Sequence, residues 1–137
     1  MPSQVKIPYW VWTIPYEAGG REVSGADCWG LILILYREFF SISLPEYCNL
    51  MYVPGGELEG TSESIFKEFS KGHVFQEVDV PDFGDVVLIE MLGNPVHIGF
   101  CLNSKQMIHL SAGSGVSIEN FTEGKWNRKI SGFYRKA

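Results

Sequence analysis

The sequence predicts an α+β domain, with helices in its first half and an antiparallel sheet in its second. Two features predict it. Residues 28–40 carry apolar side chains at helical spacing, and after residue 84 the pattern changes to short runs rich in branched and aromatic residues. Helices followed by adjacent strands are expected to pack on one side of the sheet. With 137 residues, 45% of them apolar and 14% aromatic, the chain can bury one proper core and is too short for two, so a single domain over residues 1–137 is expected.

The elements follow in order. Up to Gly25 the chain is irregular and aromatic, with Tyr9, Trp10, Trp12 and Tyr16 interrupted by Pro8, Pro15 and Gly19-Gly20, which predicts a packed loop with one helical turn. In the central helix Cys28, Leu31, Ile32, Leu35 and Phe39 share one face, and Arg37 and Glu38 mark a wetter side. It should end before Pro45, because the residue preceding a proline is pushed out of the helical region. Residues 45–60, with Pro54-Gly55-Gly56, read as a long loop, and 62–70 as a short amphipathic helix using Ile65, Phe66 and Phe69. Strands are expected over 85–91, 96–102, 106–110, 115–118 and 131–135, each bounded by Gly, Asn, Ser or Pro.

Composition removes several function classes. A net charge of -5 and a pI near 5.1 argue against a broad grip on nucleic acid or on an anionic membrane surface. No apolar stretch is long enough to span a bilayer, and the first residues lack the basic-then-apolar pattern of a secretory signal, so accumulation in the cytoplasm is expected. Cys28, Cys48 and Cys101 form no Cys-x-x-Cys pair and cannot all pair within one chain, which fits a reducing compartment.

Chemistry is suggested by where two residue types fall. Cys28 opens the central helix directly after Ser24-Gly25-Ala26-Asp27, a sequence suited to a turn into an N-cap. Unpaired amides and the dipole at a helix N-terminus stabilise a thiolate, as a thiol nucleophile requires near neutral pH, and the same amides can hold an oxyanion. A cysteine on an apolar face is more often a small buried hydrophobe, and that reading is kept for Cys48 and Cys101. In Val96-His97-Ile98-Gly99-Phe100-Cys101-Leu102, alternation puts His97, Gly99 and Cys101 on one face, leaving room there for another element.

His109 lies on the next strand. A three-residue loop at Asn103-Ser104-Lys105 would set His97 and His109 on the same side, one diagonal step apart; a two-residue loop would set them on opposite sides. The three-residue loop is expected, since thiol nucleophiles recur with a base oriented by a second polar group. The spacing lacks the close Cys or His pairs of zinc sites, no nucleophile elbow suggests a serine hydrolase, and His73 is assigned no role.

Together these residues resemble the NlpC/P60 cell-wall peptidases. Pro15-Tyr16-Glu17-Ala18-Gly19-Gly20 is similar to that family's Tyr-x-x-Gly-Gly segment, and Gly25-Ala26-Asp27-Cys28-Trp29-Gly30-Leu31 to its Asp-Cys-Ser-Gly-Leu motif. Gly84-Asp85-Val86-Val87 resembles the Gly-Asp that opens its central strand, His97-Ile98-Gly99-Phe100 its His-Val-Gly-Ile strand, and Met107-Ile108-His109 the strand bearing a third polar residue.

The resemblance implies a papain-like fold, Cys28 as nucleophile, His97 as base, His109 as orienting residue, the Tyr16 hydroxyl near the thiol, and a peptidoglycan stem peptide as substrate, with no cofactor needed. Trp29 departs from the Ser of many family members, and is expected to narrow the groove or face a partner. Asp27-Cys28-Trp29-Gly30-Leu31 with Leu44-Pro45-Glu46-Tyr47 resembles the subgroup encoded with bacteriophage tail genes. That implies a virion tail tip assembled in the host cytoplasm, with other tail-tip proteins as partners. The alternatives are an idle structural tail component and an antibacterial effector of the same fold.

Overall fold

The computed structural model describes residues 6–45, 74–91 and 94–137, and of residues 91 and 94–96 the backbone alone. The expected helix over 62–70, Cys48, His73 and nearly all of the expected loop over 45–60 lie outside the described residues. A 3-10 turn at Tyr9–Thr13 leads into a two-residue hairpin, β1 (Arg21–Glu22) and β2 (Gly25–Ala26), and then into α1 (Cys28–Phe40). Six antiparallel strands follow: β3 (Phe75–Val78), β4 (Val86–Met91), β5 (Asn94–Cys101), β6 (Gln106–Ser111), β7 (Gly115–Asn120) and β8 (Ile130–Lys136). They are ordered β3-β8-β4-β5-β6-β7 in the sheet. This is an α+β, papain-like arrangement with α1 against one face of the sheet.

α1 starts at Asp27, whose extended backbone and carboxylate cap it by accepting the Gly30 N–H at 2.7 Å. It ends earlier than Pro45 requires. Ser41 turns left-handed at φ 56°, and Ser41 and Ile42 donate back to the carbonyls of Arg37 and Tyr36 at 3.1 and 3.2 Å, a hydrogen-bonded stop four residues ahead of the proline. The expectation of a one-sided helix needs correction. Every residue over 28–36 is buried, so the first two turns are surrounded, and only from Arg37 onward does a wet side begin.

The strands carry two apolar layers. Val86, Leu88, Ile98, Phe100, Ile108 and Leu110 pack with α1, whereas Val87, Ile89, Cys101, Met107 and Phe121 form a smaller core on the opposite face, closed by Trp126, Ile130 and Phe133. The structure adds β3 to the strands expected from sequence. Only four residues long and paired to β8 alone, it has too short an alternation to signal itself. Among the described residues no helix is long and apolar enough to cross a membrane.

One side-chain tie holds α1 on the sheet, and a second braces the strand entry that it reaches. The Tyr36 hydroxyl donates to the Gly84 carbonyl at the entry to β4, and burial together with the Asp85 charge pushes its pKa up. Asp85 itself is buried, and Arg135 of β8 grips it in a fork at 3.0 and 2.8 Å.

At the other end of α1 the helix meets the hairpin loop at bare backbone. A Cβ placed on Gly30 would lie 2.2 Å from the Gly20 carbonyl oxygen, a main-chain atom that cannot swing aside. Gly30→Ala is therefore expected to destabilise the protein by about 1–3 kcal/mol through overpacking, despite a gain of roughly 1 kcal/mol in helix propensity. Urea-unfolding midpoints of the two proteins measure this, and equal midpoints would show that the loop yields without cost.

Candidate active site

The loop before α1 is organised by one carboxylate. Asp27 is fully buried, with its two oxygens accepting the Gly30 N–H, the Gly19 N–H at 2.9 Å and the Arg21 guanidinium at 2.8 and 2.9 Å. The Arg21 charge balances a carboxylate that would otherwise be costly to bury. Backbone bonds complete the frame: Glu17 N–H to the Ala26 carbonyl at 2.8 Å, and Ala26 N–H to the Pro15 carbonyl at 3.0 Å. Tyr16 is thereby bridged to Ala26, two residues before Cys28.

Cys28 is the first residue of α1 and is buried at its amide-rich end. A helix N-terminus stabilises a thiolate, and burial opposes the charge. Trp29 corrects an expectation. Its ring is fully buried, edge-on to Phe75 at 6.3 Å, and its indole N–H donates to the Pro45 carbonyl at 3.0 Å. It neither narrows a groove nor faces a partner; in a helix start enclosed on all sides, a large ring becomes core.

The histidine hairpin has the predicted loop. Leu102 N–H bonds the Gln106 carbonyl at 2.8 Å, and Asn103 Oδ1 accepts from the amides of Lys105 and Gln106 at 2.8 Å each, so three residues make the turn. Pairing of Phe100 with Ile108 and of Cys101 with Met107 then puts His97 one diagonal step from His109 on the same side. Their rings meet: His97 Nε2 and His109 Nδ1 are 2.7 Å apart, with ring planes at 78°. The room expected beside Gly99 is taken by side chains of the flanking strands, since a Cβ there would meet Met107 Sδ at 2.6 Å and Val87 Cγ1 at 3.0 Å.

Both imidazoles are buried, and desolvation dominates their chemistry. Burial, followed by the neighbouring His109, lowers the pKa of His97 to about 3. His109 is likewise lowered by burial, opposed by the charge and hydrogen bonding of Glu119 and assisted by Lys125. At neutral pH the pair is uncharged. One nitrogen of the 2.7 Å contact must then donate and the other accept, so a single proton position decides which nitrogens stay bare.

His97 Nδ1 is buried with no hydrogen-bond partner among the described residues. A buried imidazole nitrogen left open, on a ring anchored at its other nitrogen, is an arrangement suited to taking a proton from a third group. α1, which begins with Cys28, packs on β5 and β6 through Ile98, Phe100, Ile108 and Leu110, and the two histidines alternate with these residues along the same strands. The structure therefore joins His97 directly to His109 and Tyr16 to the approach to Cys28.

Sequence reasoning missed Glu119, Ser117 and Trp126, which surround His109. Ser117 Oγ lies 3.3 Å and Glu119 Oε2 3.8 Å from His109 Nε2, and the Trp126 ring stands edge-on to the imidazole at 5.2 Å. Pairing of β6 with β7 makes the first two neighbours, a register visible only once the hairpin is folded.

The sequence profile of the NlpC/P60 family matches residues 13–135 of the chain. An Escherichia coli K12 protein, murein DD-endopeptidase MepS/murein LD-carboxypeptidase, is 25% identical over 130 residues, an alignment covering 94% of this chain and 60% of that protein. A probable endopeptidase NlpC homolog of Haemophilus influenzae is 26% identical over 121 residues, covering 87% of this chain and 53% of the other. The chain thus spans about 60% or less of the length of these curated relatives. Among solved structures, the NlpC/p60 domain of peptidoglycan hydrolase SagA superposes with a TM-score of 0.59 at 18% identity, over 92% of this chain and 89% of that one. A Staphylococcus aureus protein described as similar to lipoprotein, NLP/P60 family, gives 0.62 at 21% identity, over 91% of this chain and 37% of its own. At such identities these superpositions speak for the fold.

The histidine pair makes stability depend on acid. A pKa lower in the folded than in the unfolded chain means that the unfolded state binds the proton first, so stability present above about pH 6.5 is lost as pH falls toward 3. By pH ~5 His97 alone accounts for a loss of about 2 kcal/mol. His97→Gln, which cannot take up that proton, is expected to show a fall in stability between about pH 7.5 and pH 5 that is smaller by this amount. Urea titrations at the two pH values check it, and equal falls in both proteins would refute the burial argument.

Proposed function

The chain belongs to the NlpC/P60 family, and from that premise we propose that it is a cysteine peptidase that cuts amide bonds in the stem peptides of peptidoglycan. Cys28 is the nucleophile, His97 the base, His109 the residue that orients His97, and Tyr16 a neighbour of the thiol. The observation that carries the reading is the open, buried Nδ1 of His97, on a ring whose Nε2 is held by His109. The Escherichia coli relative is a murein endopeptidase, which supports the choice of substrate.

The Cys28 Sγ–H proton passes to His97 Nδ1, and the thiolate, favoured by the N-terminus of α1, attacks the carbonyl carbon of the scissile amide. The Cys28 amide N–H stabilises the oxyanion. As the C–N bond breaks, His97 returns its proton to the departing amine and leaves a thioester on Cys28. Water then attacks the thioester with His97 again taking a proton, and the acid product and the thiol are released. Burial alone disfavours imidazolium, so the thiolate has a second task as its counter-charge.

The setting we propose is a bacteriophage tail tip, with other tail-tip proteins as partners and assembly in the host cytoplasm. The Asp27-Cys28-Trp29-Gly30-Leu31 form of the motif supports it. Genes for tail proteins beside this one would agree with it, whereas a gene for a small cognate inhibitor would point to an antibacterial effector.

Digestion of purified peptidoglycan, followed by chromatography of the released peptides, tests the activity. The wild type is expected to release stem-peptide fragments, and Cys28→Ala and His97→Ala to fall at least ~10³-fold below it. Fragment release by Cys28→Ala at the wild-type rate would end the thiol mechanism. If none of the three releases fragments, the enzymatic reading fails for the isolated chain.

A further inference from the structure

We propose that Glu119 is a positioning residue that fixes the protonation pattern of both histidines, extending the His97–His109 pair to a three-member chain. The proposal rests on the cysteine peptidase reading, and it concerns a residue in none of the motifs that suggested that reading.

The argument starts from proton accounting. The 2.7 Å contact between His97 Nε2 and His109 Nδ1 is compatible with two neutral arrangements. In one, His97 donates from Nε2 and keeps Nδ1 bare. In the other, His109 donates from Nδ1, and His97 carries its proton on Nδ1, where it is useless as a base. The hairpin alone does not choose between them.

Glu119 chooses. An ionised carboxylate only accepts, and its Oε2 lies 3.8 Å from His109 Nε2, so it favours a proton on that nitrogen. With the proton there, neutral His109 has a bare Nδ1, which can only accept from His97 Nε2–H. His97 Nδ1 is then left open, and it is the buried nitrogen that has no partner among the described residues.

The carboxylate is itself aimed. The Trp126 indole N–H donates to Glu119 Oε1 at 3.1 Å, turning Oε2 toward His109, and the same indole covers the His109 ring edge-on. Two hydroxyls lie nearer, Ser117 Oγ at 3.3 Å from Nε2 and Ser111 Oγ at 3.3 Å from Nδ1, and each can donate or accept, so both rotate to suit either arrangement and neither selects one. Lys125, over the Trp126 ring at 4.8 Å, acts on His109 in the direction opposite to Glu119. Among the described residues Glu119 is the acid beside His109, and its charge raises the basicity of that ring.

Glu119→Gln keeps an oxygen for the Trp126 N–H and removes the charge; Glu119→Asp keeps the charge. Nitrogen-15 spectra of histidine-labelled protein report which ring nitrogen is protonated, and a pH–rate profile on peptidoglycan peptides reports the base in action. We expect Nε2–H on both histidines of the wild type. In Glu119→Gln we expect a visible fraction of Nδ1–H on His109, a roughly tenfold lower kcat with KM little changed, and an acid limb about half a unit lower, a modest shift because the carboxylate is partly exposed. Glu119→Asp should recover most of the loss.

Nδ1–H on His109 in the wild type, or a Glu119→Gln protein with unchanged tautomers or unchanged kcat, overturns the proposal. A wild type that shows the expected tautomers and their shift in Glu119→Gln, yet cuts no peptidoglycan, upholds the positioning role and removes the hydrolase reading instead.

Discussion

The arrangement at the start of α1 depends on one buried carboxylate. Asp27 caps the helix, receives the amide of the glycine turn before it, and is neutralised by Arg21 from the β1–β2 hairpin. None of these bonds alone would fix the position of Cys28. Shared by one carboxylate, they join the loop, the hairpin and the first turn of the helix into a single unit, so the direction of the thiol follows from the loop as much as from the helix. The contact of Gly30 with the Gly20 carbonyl belongs to the same unit, because the loop can wrap the helix only where neither residue carries a side chain.

The sheet supplies the second half of the site by different means. Its ladders fix register, and register sets which side chains become neighbours: the three-residue turn aligns His97 with His109, and β7 then brings Ser117 and Glu119 beside the second ring. Polarity falls off inward along this row, from a partly exposed carboxylate to a buried imidazole. Such a gradient lets a charge near the surface influence a proton far inside, since electrostatic interactions strengthen as the dielectric falls.

Much of this was legible in the sequence, for identifiable reasons. The long apolar run announced α1 and its start at Cys28, and Asp27 before it announced the cap. The three-residue loop was expected from the need of a base for an orienting partner, and strand alternation then placed the histidines on one side. What could not be read was whatever depends on partners distant in the chain. β3 exists because β8 offers it an edge, Ser41 ends the helix ahead of the proline through its own left-handed turn, and Glu119 gains meaning only opposite His109. Trp29 was misjudged for a related reason: a bulky ring beside a reactive position looks functional until the surrounding layers show that it is enclosed.

That enclosed ring bears on how far the motif is modular. In relatives with serine after the nucleophile, the position carries two heavy side-chain atoms; here it carries an indole that fills the space beside Phe75 and ties the helix start to the Pro45 carbonyl. The short signature around Cys28 is therefore not a cassette that can be exchanged between members of the family. Importing the serine would demand a compensating change in the wall it faces, and the residues that must change together with it are to be sought at Phe75 and along the exit from α1, far from Cys28 in sequence.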